Sequence, residues 1–214
     1  MENCSKKHFV FVHGACHGAW CWYKVKPLLK AAGHRVTAVD MAASGIELKK
    51  IHDLQTMRDY SEPLIQFMRS VPDDEKVILV GHSLGGFNIA VAMEMFPHKI
   101  EVAVFLAAFM PDSRHTPSFI FEKDLELGIS LIRPSSLFLH DLCKPETKLS
   151  DEKYGSVRRV YVVCEEDQAI SQAFQQWMIE NGGVKEVKEL KGSDHMPMFC
   201  MPKQLSDCLL EIVT

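Results

Sequence analysis

Short continuous apolar runs rich in Val, Ile and Phe recur along this chain. They are HFVFVH at 8–13, RVTAVD at 35–40, KVILVG at 76–81, EVAVFLAAF at 101–109, RRVYVVC at 158–164 and, more weakly, VKEVKEL at 184–190. A strand with one solvent face alternates polar and apolar residues, so runs without alternation read as strands covered on both faces. Helical patterns stand between them: Ala19 to Ala32 ending at Gly33, Thr56 to Ser70 stopped by Pro72, Leu84 to Phe96 stopped by Pro97, Gln172 to Asn181 ending in Gly182-Gly183, and Pro202 to Val213. Strand then helix, repeated, predicts an α/β domain with a doubly wound, mostly parallel sheet. The 214 residues make one such domain, spanning 1–214, with a full core.

One region breaks the rhythm. From 111 to 148 no strong strand signal occurs, and Pro111, Pro117, Pro134 and Pro145 punctuate short apolar pieces. In an open α/β sheet this reads as an insertion beyond a strand's carboxyl end, where ligands bind and lids form. Composition excludes other classes. A formal charge of −4 and no Lys/Arg stripe give no field for a nucleic-acid backbone. The apolar run after Lys6-Lys7 stops at His13-Gly14, too short for a secretory signal or a membrane span. The seven cysteines are odd in number and scattered, several inside apolar runs, so most read as reduced, buried small hydrophobes in a cytoplasmic setting.

The segment KVILVGHSLGGFNIAVAMEMF carries the chemistry. A strand over Val77 to Val80 runs through Gly81-His82-Ser83-Leu84-Gly85 straight into an apolar-periodic helix. G-x-S-x-G occurs by chance in many proteins, but between a strand and a helix it is a nucleophile elbow. Ser83 then sits on a strained turn, with glycines at 81 and 85 because the backbones approach too closely for a Cβ. The turn lifts Oγ to a helix N-terminus, where developing negative charge is favoured.

A serine hydroxyl needs an adjacent base, itself held by a carboxylate, and with this elbow the order is Ser, acid, His, each just past a later strand. Only His195 of the ten histidines falls between the last strand and the terminal helix, so it is the expected base. His8, His34, His52, His98, His115 and His140 sit beside charged or turn residues and read as solvated, and His82 is expected to pack beside the serine. Four carboxylates compete for the acid. Asp167 lies at the loop end beyond its strand, where it can reach a neighbouring loop. Glu165 and Glu166 stay at the strand edge, and Asp194 would have to fold back on its neighbour.

Hydrogen-bond donors for the oxyanion remain to be found. Leu84 N–H, directly after the nucleophile, is one. The second comes from a loop after an earlier strand that opens with His-Gly, here His13-Gly14-Ala15, with Ala15 N–H as the donor. The same stretch, HGACHG, invites a metal reading through His13, Cys16 and His17. Gly14 and Gly18 argue against the helix that would bring His13 and His17 onto one metal, and no Glu lies between them as in H-E-x-x-H. No metal and no cofactor are expected.

Several long stretches, HFVFVHGACHGAWCWYKVKPLLKAAGHRVTAVDMAASGI, DEKVILVGHSLGG, VFLAAFMPDS, RPSSLF and KGSDHMPMF, resemble the plant methylesterase family of α/β-hydrolases over nearly the whole chain. The resemblance implies an α/β-hydrolase fold, a Ser83–His195–Asp167 triad, an Ala15/Leu84 oxyanion hole and an acyl pocket involving Phe109 and Leu137, residues whose bland reading is core packing. It implies hydrolysis of small methyl esters of aromatic or hormone-like acids to a carboxylic acid and methanol, methyl salicylate being the favoured substrate. The related α-hydroxynitrile lyases carry Thr where this chain has Gly14 and Lys where it has Met196, which argues for an esterase over a lyase. Family members carry a longer helical cap between MPDS and RPSSLF, so 111–148 reads as a reduced cap. An uncovered apolar cleft would favour association, which leaves a homodimer open, and it keeps open a small-acid-binding protein without turnover.

Overall fold

The structure is a computed structural model that describes residues 6–123 and 136–214. Residues 124–135 of the expected cap, and Cys4, lie outside the described residues. Among the described residues six strands form one sheet in the order β2-β1-β3-β4-β5-β6: β1 His8–Val12, β2 Arg35–Val39, β3 Val77–His82, β4 Ile100–Leu106, β5 Arg159–Cys164 and β6 Glu186–Leu190. Every pairing is parallel. All six carboxyl ends therefore open on the same edge.

The principal helices are α1 Val25–Ala31, α2 Met57–Ser70 and α3 Gly85–Met95. Shorter α4 Phe119–Lys123 and α5 Leu139–Leu142 lie in the insertion, and α6 Gln172–Gly182, α7 Pro197–Cys200 and α8 Pro202–Val213 complete the chain. The strand period of two divides the core. Phe9 and Phe11 of β1 join Val25 and Leu29 of α1 and Leu205 and Leu209 of α8 on one face. Val10 and Val12 join Leu64 of α2, Phe87 of α3 and Met178 of α6 on the other. Each such buried side chain contributes about 1.5–3 kcal/mol relative to exposure.

Several boundaries differ from the sequence expectation, each for a local reason. The helix expected from Ala19 to Ala32 is instead a 3-10 turn at Ala19–Trp22 followed by α1. A continuous helix would need Pro27 to donate to the Tyr23 carbonyl, and it has no N–H; in the first turn of α1 that donor is not required. The strand expected to reach Phe109 stops at Leu106, because Ala107 turns into the left-handed region (φ 41°). Phe109 thus lies beyond the strand rather than at its end, its N–H donating to the Ser83 carbonyl at 3.1 Å.

Cys21, Cys164 and Cys208 are buried as expected, whereas Cys16, Cys143 and Cys200 reach the surface. Burial pushes the Cys21 and Cys164 thiols up to about 12. His8 and His34, expected to be solvated, are buried: His8 Nε2 bonds Thr37 Oγ1 at 2.8 Å, and His34 Nδ1 accepts the Lys7 N–H at 3.2 Å. Among the described residues no helix is long and apolar enough to cross a membrane.

Candidate active site

The carboxyl edge gathers the loops after β1, β3, β5 and β6. Ser83 follows β3 directly and holds a left-handed φ of 54°, rare for a residue with a side chain. Its carbonyl accepts from Gly86 N–H at 3.0 Å and Phe109 N–H at 3.1 Å, which pins the turn from two sides. The elbow leaves no room for larger residues: a Cβ on Gly81 would sit 2.7 Å from the Gly85 carbonyl oxygen, and one on Gly85 2.8 Å from the carbonyl oxygens of Val12 and His13. The loop after β1 packs against the serine as tightly. A Cβ on Gly14 would meet Ser83 Cβ at 2.9 Å and His82 Nδ1 at 3.0 Å.

His195 lies in the loop after β6, with Nδ1 2.7 Å from Asp167 Oδ2. Asp167 is 3% exposed and lies beyond β5. Its Oδ1 accepts the Ala169 and Ile170 N–H groups at 2.7 and 2.8 Å, which holds Oδ2 toward the imidazole. Two of the competing carboxylates are bonded elsewhere. Asp194 Oδ1 accepts Met196 N–H at 2.8 Å and faces Cys200 Sγ at 3.1 Å; Glu165 Oε2 accepts Gly192 N–H at 2.9 Å.

His82 packs beside the serine, its ring 4.7 Å from that of His195. Its Nε2 donates to the His195 carbonyl at 2.7 Å, since a carbonyl only accepts, and so ties the base's loop to the elbow. Full burial drives its pKa well below the ordinary histidine value, so the ring is neutral.

Neither Ala15 N–H nor Leu84 N–H has an acceptor among the described residues. Leu84 stands at the start of α3, so its amide lies at that helix's positive end. The three side chains that suggested a metal do not converge. His13 is buried, with Nδ1 2.7 Å from the Gly14 carbonyl oxygen and Nε2 accepting from Met41 N–H at 3.0 Å. His17 Nδ1 donates to the Ala15 carbonyl at 2.7 Å and its ring stacks on Trp20. Among the described residues no three His, Cys, Asp or Glu side chains are grouped to hold a metal.

Phe109 and Leu137 share the apolar cluster on the α3 face. Phe109 is fully enclosed, its ring 5.5 Å from Phe87 and 5.2 Å from Phe121, and Leu137 is 6% exposed. A cavity of about 170 Å³ opens between α2, α3 and the insertion, lined by Met57, Phe87, Ala90, Val91, Pro117 and Leu142. Its lining includes neither Ser83 nor His195.

Gln175 of α6 is a site-supporting residue that sequence reasoning missed. Fully buried, it accepts Cys164 N–H at 3.1 Å and donates to the carbonyls of Cys164 and Ile170 at 3.0 and 2.8 Å, with Asp167 Oδ2 at 3.4 Å. A glutamine inside a polar helical stretch gives no signal of this.

Residues 9–147 match the family model described as Alpha/beta hydrolase family. Methylesterase 1 of Arabidopsis thaliana is 51% identical over 257 residues, covering 99% of this chain and 97% of that protein. Salicylic acid-binding protein 2 of Nicotiana tabacum is 50% identical over 252 residues, covering 96% of each. Both aligned spans exceed the 214 residues of this chain, so these relatives carry residues with no counterpart here. The crystal structure of polyneuridine aldehyde esterase, an enzyme known from Rauvolfia serpentina, superposes with a TM-score of 0.93 at 42% identity, covering 98% of this chain and 100% of that one. With that elbow, that loop order and these likenesses along its length, the chain belongs to the α/β-hydrolase family and, within it, to the plant methylesterases.

Proposed function

We propose that this chain is a cofactor-free serine carboxylesterase acting on small methyl esters of aromatic or hormone-like acids, with methyl salicylate as the leading candidate. The observation that carries the reading is the 2.7 Å contact between His195 Nδ1 and a buried, doubly hydrogen-bonded Asp167, on the same sheet edge as a positive-φ Ser83.

In this mechanism Ser83 Oγ attacks the ester carbonyl while His195 Nε2 takes its proton, and Asp167 holds the imidazole with its proton on Nδ1. The oxyanion is received by Ala15 and Leu84 N–H. His195 then protonates the departing methoxide, releasing methanol. Water, deprotonated by the same histidine, cleaves the acyl-serine to give the carboxylic acid. Phe109 and Leu137 are proposed to back the acyl group, and 111–148 to form a reduced cap over it. Gly14 and Met196 support ester hydrolysis over a lyase reaction, since neither offers a hydroxyl or an ammonium to a leaving cyanide.

The test is a panel of methyl salicylate, methyl jasmonate and methyl indole-3-acetate, run beside Ser83→Ala. Methyl salicylate should be hydrolysed, and the variant should lose at least about 10⁴-fold in kcat. A variant with wild-type turnover would overturn the mechanism. The longer span of the relatives favours one second reading, a small-acid-binding protein without turnover. Salicylate binding by calorimetry, with no hydrolysis anywhere in the panel, would select it.

A further inference from the structure

The proposed mechanism leaves one buried group of the oxyanion loop without a role. His13 is 0% exposed and precedes Gly14 at the end of β1. An amide nitrogen can only donate, so the 3.0 Å contact from Met41 N makes Nε2 the bare nitrogen of the ring. The ring proton is therefore on Nδ1, where it meets the Gly14 carbonyl oxygen at 2.7 Å. Burial lowers the pKa of His13 and keeps the ring in this neutral form, with one donor and one acceptor.

The Gly14 carbonyl and the Ala15 N–H are the two ends of a single planar peptide unit. A hydrogen bond accepted at the oxygen draws the nitrogen lone pair toward it and leaves the N–H more positive. Bonds linked in this way strengthen one another. Met41 N–H, the imidazole, the Gly14–Ala15 peptide and the oxyanion would then form one continuous donor chain.

We propose that His13 is a positioning residue of the oxyanion hole, its Nδ1–H fixing and polarising the Gly14–Ala15 peptide so that Ala15 N–H meets the charge that develops on the ester oxygen. This rests on the reading of Ala15 as a donor in a Ser83 esterase. The ester carbonyl of the ground state carries little charge and the tetrahedral oxyanion a full one. The contribution of His13 therefore falls on kcat and leaves KM nearly unchanged.

Two near-isosteric substitutions separate the halves of the ring. Asn places an amide nitrogen near Nδ1 and can still donate to Gly14; Gln reaches toward Nε2 and keeps the tie to Met41 but loses that donor. His13→Gln should lower kcat on methyl salicylate by about tenfold, less than the 10²–10³ typical of deleting an oxyanion donor outright. Its KM should be unchanged, and its affinity for a trifluoromethyl ketone, which forms an oxyanion on the serine, should fall in parallel. His13→Asn should keep kcat within about threefold of wild type.

Equal kcat losses in folded Asn and Gln variants, or a Gln variant with wild-type kcat, would overturn the proposal. Should neither variant fold, nitrogen-15 histidine spectra of the wild type decide. The proposal requires a proton on Nδ1 of His13 whose resonance moves downfield on trifluoromethyl ketone binding, and an Nε2–H tautomer or an unmoved resonance overturns it. A wild type that hydrolyses no ester, or a Ser83→Ala variant as active as wild type, would instead mark the failure of the esterase reading itself.

Discussion

Asp167 lies 2.7 Å from the His195 imidazole and Asp194 precedes His195 in the chain, and what separates them is what each carboxylate already binds. Asp194 accepts from its own loop, at Met196 N–H and Cys200 Sγ. Asp167 gives one oxygen to two backbone amides and keeps the other for the imidazole. Asp167→Asn puts an amide where the ring needs an acceptor, so the imidazole must hold its proton on the wrong nitrogen, and kcat should fall about 10⁴-fold. Asp194→Asn should stay within about threefold of wild type, since its removal leaves that geometry intact. Steady-state kinetics on methyl salicylate check both, and a reversed order would hand the role to Asp194. At this scale the positive-φ turn at Ser83 and the contact between His195 and Asp167 were legible because turn chemistry and loop position are written locally. The bonding of His13 and Gln175 was not, because their partners Met41, Cys164 and Ile170 are brought to them by the folded chain.

Elements were read correctly where one local force decides them and misread where two compete. Apolar periodicity favoured a helix through residues 19–32, but the missing N–H of Pro27 divided it. β-propensity carried the fourth strand to Phe109, but the closing of the elbow turned it at Ala107. The weak signal of β6 has its own cause: at the sheet edge its residues alternate in exposure, and of its two apolar residues Leu190 is buried while Val187 is 43% exposed, so no continuous apolar run marks it. Gln175 shows how elements are joined at the site. It ties α6 to the end of β5 and to the loop that carries Asp167. Gln175→Met matches its length but strands the Cys164 N–H and two carbonyls in the core. The expected cost is about 2–4 kcal/mol by urea unfolding, with a fall in kcat as the acid loop loosens. A variant as stable as wild type would show that the clamp contributes nothing.

At the scale of the whole molecule, a parallel sheet brings every strand's carboxyl end to one edge, and this much followed from strand–helix alternation alone. Which helices share a face did not, because that depends on the strand order β2-β1-β3-β4-β5-β6. The same packing encloses two neutral imidazoles beside the candidate nucleophile, and this makes stability depend on pH. His13 and His82 have folded pKa values lowered by burial from 6.5, that of His82 well below. Protonating His82 would also place a proton on Nδ1, which is buried with no acceptor among the described residues. Above pH 6.5 both rings are neutral whether folded or unfolded, and stability is indifferent to them. Below it the unfolded chain takes up protons that the folded chain refuses, so ν_U exceeds ν_N and unfolding becomes easier as pH falls. Each ring costs about 1.4 kcal/mol per pH unit until its own folded pKa is reached. His8 and His34, also lowered from 6.5 by burial, act in the same window, whereas Asp59 and Asp112, whose pKa values are lowered from 3.8, act only in more acid solution. The thermal midpoint should therefore hold steady from pH 8 to 7 and fall progressively from about pH 6.5 to 5. His82→Gln, which can still donate to the His195 carbonyl but cannot titrate, should make that fall shallower by one histidine's share. A variant with the wild-type slope would mean that His82 takes up its proton in the folded protein, and the neutral ring inferred for it would be wrong.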